Sequence, residues 1–157
     1  MNDPVREQVV KLLQGGQAHL TFDEAIKNFP AKFRGVKPKG APHSAWQLVE
    51  HIRIAVWDIL EFSRNSKHVS PSWPDGYWPK TEKPPSAAAW SKSIASIKKD
   101  MEALQKLVQE EDTDLYAKIP HGTGQNILRE ALLVADHNAY HIGQLLLLRR
   151  LLGAWTE

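Results

Sequence analysis

Apolar residues recur at three- and four-residue intervals in four stretches of the chain, the period of an amphipathic helix, and no stretch alternates convincingly like a strand. Asp3 before Pro4 predicts the first start: a side-chain cap followed by proline at the first helical position. That helix runs to about Gln14 and stops at Gly15-Gly16. Thr21 and Glu24 form a capping box that opens a short helix to about Phe29, so the first element is an interrupted one. Residues 30–43 hold three prolines and two glycines and predict a loop. A second capping box, Ser44 with Gln47, opens a helix from Ala45 to about Arg64, with Leu48, Ile52, Ala55, Val56, Ile59 and Leu60 as its apolar positions. The third helix, Ala87 to about Glu110, carries Trp90, Ile94, Ile97, Met101, Leu104 and either Leu107 or Val108 at helical spacing. The fourth runs from Gln125 to about Leu152, where Gly153 supplies the stop.

The connections constrain how these helices assemble. Residues 65–86, rich in proline and tryptophan, are longer than the ~15 residues usual for a structureless loop. The second helix is roughly 30 Å long, and a connection of this length spans it. The second and third helices are therefore expected to run parallel, in an all-α four-helix bundle with one long crossover. An all-antiparallel bundle with an elaborate loop is the alternative. A chain of 157 residues suits a single domain, 1–157.

Composition narrows the function classes. Twenty Lys and Arg against 18 Asp and Glu give a net charge of +2, and basic residues cluster only as pairs such as Lys98-Lys99 and Arg149-Arg150. No basic stripe marks a nucleic-acid binder. The chain has no cysteine, which removes disulfides, thiolate metal sites and a cysteine nucleophile together. The opening "MNDPVREQVV" lacks the apolar core of a signal peptide, and no stretch approaches the ~18 apolar residues of a membrane span. A soluble, cytoplasmic protein is expected.

"DHNAYHIGQLLLLRR", Asp136 to Arg150, places His137 and His141 four apart on an apolar helix. Their rings fall roughly 6 Å apart on one face, a spacing that suits a shared metal ion. Random placement of seven histidines gives ~0.3 such pairs, so the pair alone reads by default as satisfied core or helix-surface histidines. His51 changes the balance. It lies between Leu48 and Ala55 on the same face of the second helix, so two helices present imidazoles toward a common centre. Three nitrogen ligands leave positions open, as in a catalytic rather than a structural site. The ion expected is Zn²⁺ or Ni²⁺, with Fe²⁺ or Mn²⁺ also compatible with imidazole. His19, His43, His68 and His121 fall in breaks and loops and read as ordinary polar residues. Asp58, two turns after His51, and Gln144, one turn after His141, are candidates to support the ligands; Asp58 reads equally as a solvated helix residue. Tyr140 points about 100° away from His141 and is not counted. Trp73, Tyr77 and Trp78 either line a pocket mouth or anchor the crossover.

With "PHSAWQLVEHI" entering the second helix and "DHNAYHIGQLLLLRR" in the last, the chain resembles the DinB/YfiT-like family of metalloenzymes over residues ~40 to 152. The resemblance implies a four-helix bundle with a crossover between helices 2 and 3, and a metal triad carried by His51, His137 and His141. It implies a thiol-dependent transferase or isomerase, with bacillithiol, mycothiol or glutathione as co-substrate. The Gly15-Gly16 break departs from the longer first helix of that family. Two functions follow as expectations. One is a metal-dependent enzyme that transfers a low-molecular-weight thiol to a small electrophile, or hydrolyses it, with catalytic residues unassigned. The other is a non-catalytic metal- or small-ligand-binding module of a stress response. "LLLLRRLL", residues 145–152, is apolar around most of its circumference and predicts a homodimer. Cover from the crossover and Trp155 is the competing account.

Overall fold

The computed structural model of the protein describes residues 3–155, so the outermost two residues at each end of the expected 1–157 domain lie outside it. Among the described residues are five α-helices: α1 (Pro4–Gln14), α2 (Phe22–Ile26), α3 (Ala45–Arg64), α4 (Ala87–Gln109) and α5 (Ile127–Leu151). No strand forms among them; Lys118 and Asn126 make a single antiparallel bridge. None of these helices is long and apolar enough to cross a membrane.

Local chemistry sets the boundaries. The Asp3 carboxylate accepts from the Val5 amide at 2.9 Å, and Gly15, at φ 74°, turns the chain out of α1. Thr21 and Glu24 form the reciprocal box that opens α2. That helix ends at Ile26, three residues before the expected Phe29, because Asn28 adopts φ 54°, a left-handed turn that Asn tolerates better than most residues. Phe29 is still buried, but as a loop anchor rather than a helical residue. A 3₁₀ turn, Ala31–Phe33, interrupts the expected 30–43 loop. α3 has both expected ends, with Ser44 and Gln47 as its box. α5 starts two residues later than expected, since the Asn126 side chain accepts from the Arg129 amide at 2.8 Å and is itself the cap.

Pairings climb in step along α3 and α4. The Ser44 hydroxyl donates to the Glu82 carbonyl ahead of α4, Glu50 accepts from Ser93, and Asp100 lies within the fields of Arg53 and Arg64. Numbers that rise together are the sense a parallel pair gives. The 65–86 connection is therefore fastened along α3, with the Trp46 indole N–H donating to Thr81 Oγ1 at 3.1 Å.

The core lies between α1, α3, α4 and α5. Val49, Val56, Leu60, Leu104, Val108, Ala131, Val134 and Leu145 are fully enclosed, which settles the choice between Leu107 and Val108. The leucine run divides. Leu145 and Leu148 face the core, whereas Leu147 and Leu151 are 60% and 59% exposed. Arg149 turns inward: its guanidinium donates to the carbonyls of Ala25 and Ala154, both at 2.9 Å, and stacks on Phe29 and Trp155. Leu60→Ala removes a fully buried side chain and should destabilise the fold by about 2–5 kcal/mol. Urea unfolding followed by far-UV circular dichroism reads this; a midpoint equal to that of the parent would contradict the packing described.

Candidate metal centre

His51, three residues past Leu48 on α3, is 3% exposed, and it meets His137 and His141 from α5. One ligand atom from each lies within 4.8 Å of the others. His51 Nε2 is 3.0 Å from His137 Nε2, and the ring centroids are 4.5–4.8 Å apart. Helical spacing puts two rings on one face, and the α3–α5 packing brings the third across.

Hydrogen bonds to the outer nitrogens fix the chemistry of the inner ones. The Nδ1–H of His51 donates to the Tyr77 carbonyl at 2.9 Å, and that of His141 to Gln144 Oε1 at 2.9 Å. A carbonyl only accepts, so each of these rings carries its hydrogen on Nδ1 and keeps an Nε2 lone pair directed inward. Nδ1 of His137 lies 3.3 Å from Asn138 Oδ1 and its Nε2 lies 3.0 Å from His51 Nε2, so either nitrogen of this ring can carry the hydrogen. With its hydrogen on Nε2, His137 donates to His51 Nε2 at 3.0 Å and joins the rings without a cation; with its hydrogen on Nδ1, all three Nε2 atoms are free to ligate. The donor set fits a divalent cation with three nitrogen ligands and open positions.

Electrostatics keep the rings neutral. Burial, followed by the fields of His141 and His43, pushes His51 down to about 4, with the Tyr77 bond partly opposing the shift. Burial, followed by His137 and His43, lowers His141 to about 4 against the opposing Gln144 bond. His137 is lowered mainly by burial. Neutral imidazole is the ligating form.

Indole and tyrosine complete the surroundings. Trp78 stacks on His51 at 3.9 Å and 2° between planes, and on His43 at 3.9 Å and 15°. His43, read from the sequence as a loop residue, is thus part of the wall; a histidine eight residues before His51 across a helix start carries no signal of this. Gln144 supports His141 as its one-turn spacing predicts. Asp58 touches none of the three rings. Its oxygens accept instead from His68 Nε2 at 2.7 Å and the Tyr77 hydroxyl at 2.5 Å, so His68 is more than a loop residue. Burial and the bond to Asp58 push the Tyr77 hydroxyl up to about 12, which keeps it a donor. Tyr140 does reach His141, edge to face at 4.9 Å, although its position on the helix is about 100° away. His19 is exposed and bonds the Leu20 carbonyl, and His121 bonds the Phe62 carbonyl; neither joins the cluster. A largely apolar cavity of about 320 Å³ lies beside the site, with Leu48, Leu148, His43 and Gln144 in its walls.

The depressed imidazoles fix a pH dependence. Unfolded histidines take up protons near 6.5, whereas His51 and His141 resist protonation until about 4. The unfolded chain then binds more protons between those values, so stability of the metal-free protein falls as pH drops through that window. Thermal midpoints of chelator-treated protein should decline from pH 6.5 to 4 more steeply than those of a His51→Gln/His141→Gln double variant. Identical slopes would contradict the buried neutral state.

No curated protein and no solved structure matches the chain. A family model, described as the DinB superfamily, matches residues 16–145, a span that begins after the Gly15 break and contains all three histidines. With most of its length matched, the chain belongs to the DinB superfamily.

Proposed function

We propose that His51, His137 and His141 ligate one divalent cation, Zn²⁺ or Ni²⁺ before Fe²⁺ or Mn²⁺. On this reading the protein is an enzyme that transfers a low-molecular-weight thiol to a small electrophilic substrate, or hydrolyses that substrate. The observation that carries the reading is the convergence of three buried imidazoles on one point, with the Nε2 lone pairs of His51 and His141 turned to it. A cation held by three nitrogens supplies, when bound, a thiolate or hydroxide nucleophile at neutral pH. That chemistry suits a chain without cysteine. The protein's own groups do the rest. Gln144 and the Tyr77 carbonyl hold the Nδ1 protons, Trp78 shields the face of His51 from water, and the apolar cavity beside Gln144 offers room for the body of a small substrate.

A second reading, a non-catalytic metal- or small-ligand-binding stress-response module, is favoured by one observation. The cluster contains no carboxylate, and both oxygens of nearby Asp58 are already engaged, so among the described residues no free carboxylate base joins the three nitrogens. Elemental analysis after zinc loading should give one ion per chain. His51→Ala should weaken zinc binding beyond the ~10–100-fold typical of outer-shell changes while keeping the helical dichroism. Loaded protein is then assayed with a panel of thiols and electrophiles. Turnover supports the enzyme; tight metal binding without turnover supports the module; no metal binding defeats the enzyme and leaves only the small-ligand form of the module.

The proposed assembly is a homodimer through α5. Leu132, Asp136, Tyr140, Gly143, Leu147 and Arg150 form one exposed stripe on this helix. The stripe is self-complementary when two copies cross antiparallel at Gly143: Tyr140 then meets Leu147, and Asp136 meets Arg150, in both directions. Gly143 has no side chain to separate the backbones, and a Cβ built there meets nothing within 4 Å. Gly143→Leu is accordingly tolerated by the single chain but holds the two helices apart. Light scattering should show a dimer for the parent and a monomer for the variant; a parent mass of one chain at all concentrations would reject the interface.

A further inference from the structure

Tyr77 and Trp78 meet His51 from two sides, although they lie in the 65–86 connection, at the end of a short 3₁₀ turn, rather than on one of the five α-helices. The Tyr77 carbonyl takes the Nδ1 proton of His51 at 2.9 Å, and the next residue stacks its indole on the ring at 3.9 Å. A main-chain carbonyl in a connection is only as fixed as the connection itself. Here the segment is held by its own turn, Asp75–Tyr77, and by the Gly76 amide donating to Ser72. Gly76 also packs closely on Pro71, where an added Cβ would come within 2.7 Å. Between the fastenings of His68 at Asp58 and of Thr81 at Trp46, the turn itself is tied back to α3 by the Tyr77 hydroxyl, which donates to Asp58 at 2.5 Å.

Asp58 is seven residues beyond His51, about 10 Å along the helix axis, too far for its short side chain to reach the ring. The tyrosine spans that gap, with its hydroxyl at Asp58 and its backbone at His51. The other Asp58 oxygen is bonded to His68, whose ring meets the edge of Trp57 at 5.0 Å, so the carboxylate is fixed from both sides in a site only 7% exposed. A buried carboxylate held this firmly is a rigid anchor.

We propose that Asp58 and Tyr77 are a positioning pair for His51: the carboxylate fixes the tyrosine hydroxyl, and through the tyrosine backbone it fixes the tautomer and direction of the imidazole. Neither residue touches the space between the three Nε2 atoms. Their effect passes through the Nδ1 bond, in the way outer hydrogen bonds orient a ligating histidine. The functional consequence rests on the three-histidine reading above; the effect on the tautomer does not.

Two variants test it, each close in shape to the parent: Tyr77→Phe, which removes only the hydroxyl and keeps the carbonyl and ring, and Asp58→Asn. Nitrogen-15 NMR of the histidines in metal-free protein reads the tautomer directly, and His51→Gln assigns the signal. The parent should show His51 with its proton on Nδ1, and each variant a mixture of tautomers. Zinc affinity, measured by competition with a chromophoric chelator, should fall about 10–100-fold in each variant. The double variant should lose no more than the worse single one, because both break the same connection. Parent and variant signals that show the same single tautomer overturn the proposal, as does unchanged zinc affinity in a parent that binds zinc. A parent that binds no zinc defeats the metal reading instead, and the tautomer measurement still decides the positioning pair. If Asp58→Asn fails to fold, Tyr77→Phe alone carries the comparison, since it leaves the buried carboxylate charged and bonded to His68.

Discussion

Two imidazole nitrogens 3.0 Å apart inside a helical protein, on buried rings kept neutral, form the constraint on which the rest of this structure depends. Buried neutral histidine is tolerable only if its N–H is bonded, and leaving such a group unmatched costs about 1–3 kcal/mol. The protein meets that demand on the outer side of each ring. The Tyr77 carbonyl, Gln144 and Asn138 take up Nδ1, and no enclosed side-chain nitrogen or oxygen among the described residues lacks a partner. His51 and His141 thereby present Nε2 as an acceptor to the space they share with His137, whose Nε2 lies 3.0 Å from that of His51.

Holding that geometry takes two kinds of element. α5 supplies a rigid pair through helical repeat alone, since residues four apart overlap on one face. α3 supplies His51, but the direction of its ring is set from outside the helix by Tyr77 and Trp78. The proline- and tryptophan-rich connection thus anchors the chain and forms part of the site wall. Its fastening points follow α3 from end to end: Glu82 at Ser44, Thr81 at Trp46, Tyr77 at His51, and His68 at Asp58. A short hairpin between α3 and α4 would have no chain to lay along this face.

Charge is managed by the same logic of enclosure with a partner. Glu50, nearly buried, is held by Arg53 at 2.8 Å and by Ser93 across the α3–α4 contact. Arg149, in the middle of a leucine run, is enclosed between Phe29 and Trp155 and bonded to two carbonyls. It ties the end of α5 to α2. These groups contribute register more than net stability, because a buried charge gains little over an apolar residue of its size but loses heavily when one partner is removed.

The sequence by itself determined the helices and the identity of the three histidines. Caps, boxes and breakers act within four residues, so Asp3, Thr21 with Glu24, and Ser44 with Gln47 carry their boundaries in local chemistry. His137 and His141 were legible because helical spacing converts sequence distance into spatial distance, and His51 because it shares a face with Leu48 and Ala55. Two boundaries escaped for equally local reasons: the Asn28 turn ended α2 early, and Asn126 capped α5. What only the tertiary structure decided is everything that reaches the site from a connection. That His43 would stack on Trp78, that Tyr77 would offer its carbonyl to His51, and that Asp58 would act through a tyrosine 19 residues later depend on where an irregular segment lies across α3. The inward turn of Arg149 is of the same kind, fixed by aromatic partners at Phe29 and Trp155 from other parts of the chain. Irregular backbone has no repeat to convert sequence distance into spatial distance, so these contacts exist only once the long-range packing has formed.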